Sequence, residues 1–149
     1  MEAALRSAYY LVTGNNPDAD AFQSVRGLEG WKEASFDLNG TTVNVAVASG
    51  LSNTRRLVNA IKKGEVHYDF VAIMSCPGGC INGGGQPQQP GPVRNTTDIR
   101  ALRAQVLYDS DKDNPIRKSH ENPAIKELYD TYLGKPGSPL AHHLLHTTY

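Results

Sequence analysis

Cysteine is scarce in this chain, and neither sign of charge dominates. Two cysteines among 149 residues are too few for the disulfide framework that stabilises many small secreted domains. Fifteen basic and fifteen acidic side chains give a net charge of zero, so no broad basic field is available to attract nucleic acid or an anionic membrane. No apolar run approaches the length that spans a bilayer. The balanced charge and the lack of such a run therefore predict neither a nucleic-acid partner nor a membrane span.

The overall composition is that of an ordinary globular protein. A chain of 149 residues with 39% hydrophobic side chains has room for one domain with a real core. The segment 1–6 lacks the basic and apolar layout of an export signal, which favours the cytoplasm. In that reducing compartment, two closely spaced cysteines are more often metal ligands or redox groups than a disulfide.

The first part of the chain has the patterns of a helix followed by a β-hairpin. Residues 1–13 carry apolar side chains at helical spacing, and Gly14 is placed to end that helix in a left-handed conformation. The segment 32–47 alternates apolar and polar residues on either side of Asn39-Gly40, which is the strongest short hairpin signal. We therefore predict two antiparallel strands here.

A second helix and a different kind of strand follow. Residues 51–63 predict a helix, whose expected inward residues are Leu51, Leu57, Val58 and Ile61. Residues 68–74 include a continuous apolar run, typical of a central parallel strand covered on both faces. The fold class predicted is therefore α/β, with a small sheet, a parallel central strand and flanking helices.

The second half predicts helices and loops that wrap this α/β unit. Residues 86–95 are rich in proline and are predicted to form a linker. The expected helix starts are Thr97, Asn122-Pro123 and Ser138-Pro139. The expected inward residues are Ile99, Leu102 and Val106 in the first helix, and Ile125, Leu128, Tyr129, Tyr132 and Leu133 in the second.

The segment 74–87, MSCPGGCINGGGQP, holds both cysteines and directly follows the apolar strand. Thiolates are soft ligands that suit zinc, copper(I) and iron–sulfur clusters, and ligand sites of open α/β sheets lie beyond the carboxyl ends of strands. A tight bend is expected, with inward amides that could hydrogen-bond cluster sulfurs. Five glycines within residues 78–85 favour ligation by Cys76 and Cys80 over a buried inert pair or a disulfide. Two cysteines are nevertheless half of the four ligands that a cubane cluster normally takes.

The histidines are interpreted as structural. His142 and His146 stand four residues apart on one helical face, but neither they nor His143 have the glutamate or third ligand of a zinc enzyme. His120 lies just before Asn122-Pro123 and is predicted to belong to a helix-start network.

The cysteine segment resembles the third active-site cysteine motif of [FeFe] hydrogenases. Residues 1–6 and 25–30 are similar to segments just upstream in that family. Residues 118–123, 132–136 and 142–147 resemble its C-terminal tail, which some members encode as a separate small subunit. The similarity thus covers nearly the whole chain in the right order.

The resemblance implies a fold, a cofactor and a set of ligands. The family's active-site domain has two lobes, each a sheet flanked by helices, with the H-cluster between them. That cluster joins a [4Fe-4S] cubane to a di-iron unit that carries CO, CN and a bridging dithiolate. By resemblance, Cys76 binds the cubane, Cys80 binds the cubane and bridges to the di-iron unit, and Met74 packs its thioether near the carbonyls.

The resemblance also implies that the site is incomplete. The two earlier family motifs, which supply the other cubane cysteines and a proton-relaying cysteine, are absent. We therefore expect residues 1–87 to be the C-terminal lobe and residues 88–149 a small-subunit-like helical tail wrapping it. The expected function is that of part of a hydrogenase that oxidises H2 and reduces protons reversibly. The chain alone is expected to be inactive, to contain no catalytic acid or base and to lack an intact H-cluster.

The partners implied for the complete enzyme are the N-terminal lobe and a redox protein such as ferredoxin. Two alternatives stay open beside the hydrogenase hypothesis. One is an iron–sulfur assembly or prelamin-binding relative without the di-iron unit, with a sensory hydrogenase as a nearer variant. The other is an α/β domain with an inert cysteine pair.

Overall fold

The computed structural model describes residues 1–147, and its centre is a three-stranded sheet. Strand β1 (Trp31–Leu38) pairs antiparallel with β2 (Thr41–Ser49), and β2 pairs parallel with β3 (Phe70–Met74). Helices flank this sheet and make up the C-terminal part, which confirms the predicted α/β class. None of the described helices is both long and apolar enough to cross a lipid bilayer.

The hairpin between β1 and β2 turns where the sequence predicts. Asn39 has a φ of 56° and Gly40 a φ of 85°, the two left-handed conformations that a type I′ turn requires. Leu38 pairs directly with Thr41, so the loop contains two residues. The turn fixes the register of the whole hairpin, because its length decides which residues face each other.

Strand β2 is the centre of the core. Val45 and Val47 pack on one face with Leu5, Phe22 and Val25. On the opposite face, Ala46 and Ala48 pack with a buried leucine at position 57. Both faces of β2 are therefore covered, as expected for a central strand.

The prediction of a covered central strand at 68–74 was wrong in its position. The strand β3 pairs with β2 alone, at the edge of the sheet, and Phe70 and Ile73 are 47% and 50% exposed. An apolar run indicates that a segment favours burial, but it does not specify which elements cover that segment.

The helices follow their predicted starts and ends more closely than their predicted faces. Gly14, with a φ of 72°, ends the first helix, and the Asn122 and Ser138 side chains accept hydrogen bonds at the starts predicted for them. The observed helices are α1 (Glu2–Thr13), α2 (Leu51–Lys62), α3 (Gly91–Thr96), α4 (Ile99–Asp113), α5 (Pro123–Leu128) and α6 (Pro139–Leu145). Helix α5 continues as a π-helical turn, Tyr129–Leu133.

Several predictions for α2 and α4 need correction. In α2, Leu57 is buried as expected, but Leu51 and Ile61 are exposed. The cap of α4 is Asp98 rather than Thr97, and the predicted linker, residues 86–95, overlaps the helix α3. Five apolar residues of the C-terminal helices were expected to point inward but are exposed. They are Leu102, Val106, Ile125, Leu128 and Tyr132. Periodicity identifies an apolar face, but whether that face finds a neighbour depends on how the helices pack.

Candidate metal centre

The cysteine loop begins at the carboxyl end of β3, where the sequence predicts a ligand site. The Gly50 amide donates to the Met74 carbonyl at 2.8 Å, which ties this end of β3 to the end of β2. A short 3₁₀ helix, Gly79–Asn82, then carries the second cysteine. The loop therefore starts at the end of β3, which a hydrogen bond ties to the end of β2.

The bend between the cysteines is tight, as predicted, but its amides are used differently. The Gly79 amide donates to the Cys76 carbonyl at 2.9 Å, and the Gly83 amide donates to the Cys80 carbonyl at 3.3 Å. The prediction was that amides of the bend, not assigned to particular residues, face a bound group; these two do not. They instead close successive turns and so hold the two cysteines in one compact segment.

Glycine is needed most clearly at positions 78 and 79. Gly78 and Gly79 have φ values of 81° and 78°, in the left-handed region that residues with a β-carbon rarely adopt. A β-carbon on Gly79 would lie 2.9 Å from the Met74 sulfur, closer than packed atoms approach. At Gly84 and Gly85, by contrast, a β-carbon would meet nothing within 4 Å. The first glycine pair therefore shapes the loop, whereas the later glycines leave open space.

We expect Gly79→Ala to lower the free energy of unfolding by about 1–2 kcal/mol from the left-handed backbone alone, with a further loss from the contact with Met74. Urea unfolding measures the change. The matched control is Gly84→Ala, which we expect to alter stability by less than about 1 kcal/mol. Equal effects at both positions would contradict the assigned role of Gly79.

This segment contains three sulfur atoms, those of Met74, Cys76 and Cys80. Cys76 is half-buried, Cys80 is exposed, and both are free thiols, so the disulfide alternative is not what the structure has. Met74 is half-buried and packs against the core formed by α1 and β2. Two thiolates fit a soft metal or an iron–sulfur cluster chemically. Within residues 1–147, no three histidine, cysteine or acidic side chains are grouped to hold a metal ion, so the donor set is partial.

An open cavity of about 1000 Å³ lies beside the start of β1, which pairs with the end of β2. Its lining includes Leu28, Trp31 at the start of β1, and Asn53 in the first turn of α2. Leu28 also approaches the loop, 3.9 Å from where a β-carbon on Gly78 would lie. The cavity therefore lies near the loop, but neither cysteine nor Met74 lines it.

His120 was predicted to belong to a helix-start network, but its side chain instead joins α1 and the segment after it to the tail. Its ring nitrogens lie 3.2 Å from the Ser7 hydroxyl and 2.8 Å from the Asn16 side-chain oxygen. The ring stacks on Tyr10 at 4.2 Å, and burial lowers the pKa of His120 below its usual value. The rings of His142 and His146 pack together at 4.4 Å, which agrees with a structural role.

A cluster of ion pairs that no sequence pattern predicted joins the α/β unit to the tail. Arg6 is only 1% exposed, and its guanidinium donates to Glu2 at 2.8 Å and to Asp111 at 3.1 Å. Arg26 donates to Glu2 at 2.6 Å, and Arg117 donates to Asp111 at 2.8 Å. The only sequence signal was indirect, since the hydrogenase-like segments 1–6 and 25–30 contain three of these side chains.

The ion cluster makes stability depend on pH. Burial by itself would raise the pKa of Asp111, but hydrogen bonds from Arg6 and Arg117 outweigh it and hold that pKa below its ordinary value. A carboxyl whose pKa is lowered in the folded state stabilises the protein at pH values above its unfolded-state pKa, about 3.9. This stabilisation is lost as the pH falls through the folded-state pKa. We therefore expect the stability difference between wild type and Asp111→Asn to narrow as urea unfolding is repeated from pH 7 to below pH 4. A constant difference would contradict this assignment.

Comparisons with known proteins cover both halves of the chain. Residues 1–84 match the family described as "Iron only hydrogenase large subunit, C-terminal domain", and residues 97–149 match "Iron hydrogenase small subunit". The NADP-reducing hydrogenase subunit HndD of Solidesulfovibrio fructosivorans is 46% identical over all 149 residues, which correspond to 25% of its own length. The nuclear prelamin A recognition factor of Homo sapiens is 33% identical over 120 residues, covering 80% of this chain and 25% of that protein.

The solved structures agree with this similarity. An apo [FeFe]-hydrogenase of Chlamydomonas reinhardtii matches with a TM-score of 0.75 and 39% identity, over 100% of this chain and 43% of that one. The chain thus spans about a quarter of the length of the curated relatives it matches. The matching region includes the cysteine loop and the helical tail together.

Proposed function

Because the chain belongs to the iron-only hydrogenase family, we propose that it supplies part of the H-cluster site of an [FeFe] hydrogenase. The complete enzyme would catalyse reversible H2 oxidation and proton reduction. The observation that carries this proposal is the pair of free thiols, Cys76 and Cys80, held by one tight bend at the carboxyl end of β3. The cytoplasm and a ferredoxin-type electron partner stay predictions for that complete enzyme.

The residues of the loop fit the group that the family implies. Cys76 and Cys80 would ligate a [4Fe-4S] cubane, with Cys80 also bridging to the di-iron subsite. Exposure of the Cys80 thiol suits a ligand shared with a bulky group. When bound, that group supplies the exchange of electrons and protons with H2.

Met74 and its surroundings would form one wall of the site. The thioether is soft, apolar and adaptable, and the left-handed Gly79 lets it approach the loop backbone. Core residues pack behind it, including Leu5 of α1, Val45 of β2 and Phe22 from the segment between α1 and β1. This wall would exclude water and fix the orientation of the cysteines, because side chains on packed elements hold their positions best. We assign no catalytic acid or base to this chain.

The site is a half site in this proposal. A cubane normally takes four protein ligands, and the chain has two cysteines. The remaining ligands would come from an N-terminal lobe, against residues 1–87, with residues 88–149 acting as the small-subunit-like tail. The part of the relatives that this chain does not span is long enough to provide such a lobe.

A chimera tests the proposal directly. The corresponding quarter of the Solidesulfovibrio relative would be replaced by this sequence, and the protein matured with its cofactor. We expect infrared bands of iron-bound CO and CN, and H2 evolution from the chimera. The isolated 149-residue chain should show no turnover after the same treatment.

The outcomes separate the alternatives. A chimera that contains a cubane but no CO or CN bands would favour the assembly-type or prelamin-binding function. Sustained H2 evolution by the isolated chain would contradict the half-site proposal. A chimera with the native iron content and CO and CN bands would support it.

A further inference from the structure

An arginine of the tail makes contacts with the cysteine loop from outside it. Arg103 lies on α4, and its Nη1 donates to the Ile81 carbonyl at 3.1 Å. Its Nη2 donates to the Pro87 carbonyl. The carbonyl of Ile81 belongs to the residue directly after Cys80, and Pro87 stands where the loop leaves the site. One guanidinium therefore joins the two ends of the glycine-rich half of the loop.

Beyond the buried Ile81 side chain and the Gly83–Cys80 backbone hydrogen bond, few contacts fix the shape of that half of the loop. Gly84 and Gly85 are exposed and carry no side chain to pack. Within the segment, the Gln86 amide donates to Gly83 at 3.1 Å, and the Gln86 side chain donates to the Cys80 carbonyl at 3.4 Å. Because glycine allows many backbone conformations, the two hydrogen bonds of Arg103 are strong constraints on the backbone around Cys80.

Helix α4 is itself held in place at its other end. Asp111, eight residues beyond Arg103 and so about 12 Å along the helix, accepts hydrogen bonds from Arg6 and Arg117. Arg6 is buried on α1, which packs against β2. The guanidinium of Arg103 therefore projects from a helix that is fixed to the same core that carries β3.

We propose that Arg103 is a positioning residue, through which the tail holds the Cys80 side of the cysteine loop in the geometry needed for ligation. This inference rests on the proposed function, in which Cys76 and Cys80 bind metal together. It assigns to the tail a role at the site in addition to packing against the α/β unit.

The test uses Arg103→Lys in the full chain, with Cd²⁺ as a soft divalent probe for paired thiolates. Lysine keeps the charge but lacks the planar fork that reaches two carbonyls at once. We expect the affinity for Cd²⁺, measured by competition with a chelating dye, to fall about 10-fold, as for other residues that orient metal ligands. The matched control is Arg94→Lys, the same change at an exposed residue of α3, which should leave the affinity unchanged.

A second measurement distinguishes positioning from a general loss of structure. Urea unfolding of Arg103→Lys should stay close to wild type, while the half-buried Cys76 thiol should react faster with a disulfide reagent. Unchanged Cd²⁺ affinity and thiol reactivity would overturn the proposal. The proposal would also be overturned if the loss of Cd²⁺ affinity in Arg103→Lys were fully explained by a loss of unfolding free energy.

The proposed function fails separately. If the Cys76→Ser and Cys80→Ser variants bind Cd²⁺ with the same affinity as the wild-type chain, the paired-ligand assignment is wrong. Thiol reactivity then still reports whether Arg103 controls the loop. The two sets of variants therefore give independent answers.

Discussion

The Arg6→Met variant is expected to lose about 3–5 kcal/mol of unfolding free energy, a large share of what a domain of this size has. Arg6 is 1% exposed and donates to the Ala19 and Arg117 carbonyls as well as to Glu2 and Asp111. Methionine fills similar space but leaves two carboxylates and two carbonyls without this partner. Removing the buried guanidinium is costly, because Glu2 and Asp111, with side chains 16% and 31% exposed, are only partly solvated by water.

Urea unfolding monitored by circular dichroism measures the effect of Arg6→Met. The matched control is Arg55→Met on the exposed face of α2, which we expect to change stability by at most about 0.5 kcal/mol. A loss below about 1 kcal/mol for Arg6→Met would show that the cluster is not what fastens α1 to the tail.

We expect Cys80→Ala to lower the rate of H2 evolution by the chimera at least about 100-fold. Loss of an outer-shell partner alone lowers activity by at most about that factor, and Cys80 would be a direct ligand. In the proposed site this sulfur binds the cubane and also joins it to the di-iron unit. Its removal therefore deletes a ligand and the connection between the two parts of the cofactor. Alanine leaves the backbone turn between Gly79 and Asn82 intact, so the change is confined to the sulfur.

Iron content and the CO and CN infrared bands measure the effect of Cys80→Ala directly. Ser52→Ala, a deletion of similar size on the exposed part of α2, serves as the control and should leave both unchanged. Retention of the full iron content and both bands in Cys80→Ala would establish the inert-cysteine interpretation instead.

Short-range signals predicted the elements of the fold well. Asn39-Gly40 predicted the hairpin turn, Gly14 the end of α1, and Asn122 and Ser138 the starts of α5 and α6. Each of these signals acts through backbone conformation or a side-chain hydrogen bond within a few residues. Such interactions need no knowledge of the rest of the molecule.

Predictions that depended on distant neighbours were less successful. The apolar residues of α4 were expected to point inward, yet Val106 is 66% exposed and the small Ala104 is buried. The apolar strand β3 was expected at the centre and lies at the edge. In both cases the apolar pattern was recognised correctly. Which element packs against it depends on the arrangement of helices and strands, and the pattern does not specify that arrangement.

The sequence alone determined the α/β class, the place of the cysteine loop after a strand, and the family to which the chain belongs. These follow from local periodicity, from turn residues and from motifs in a set order. The tertiary structure decided which side chains support the loop and the core. Arg6 meets Asp111 across 105 positions, and Arg103 reaches Ile81 across 22. The physical reason is that such contacts depend on how whole elements pack, and a single arginine on a helix has the same local pattern whether it is buried or in water.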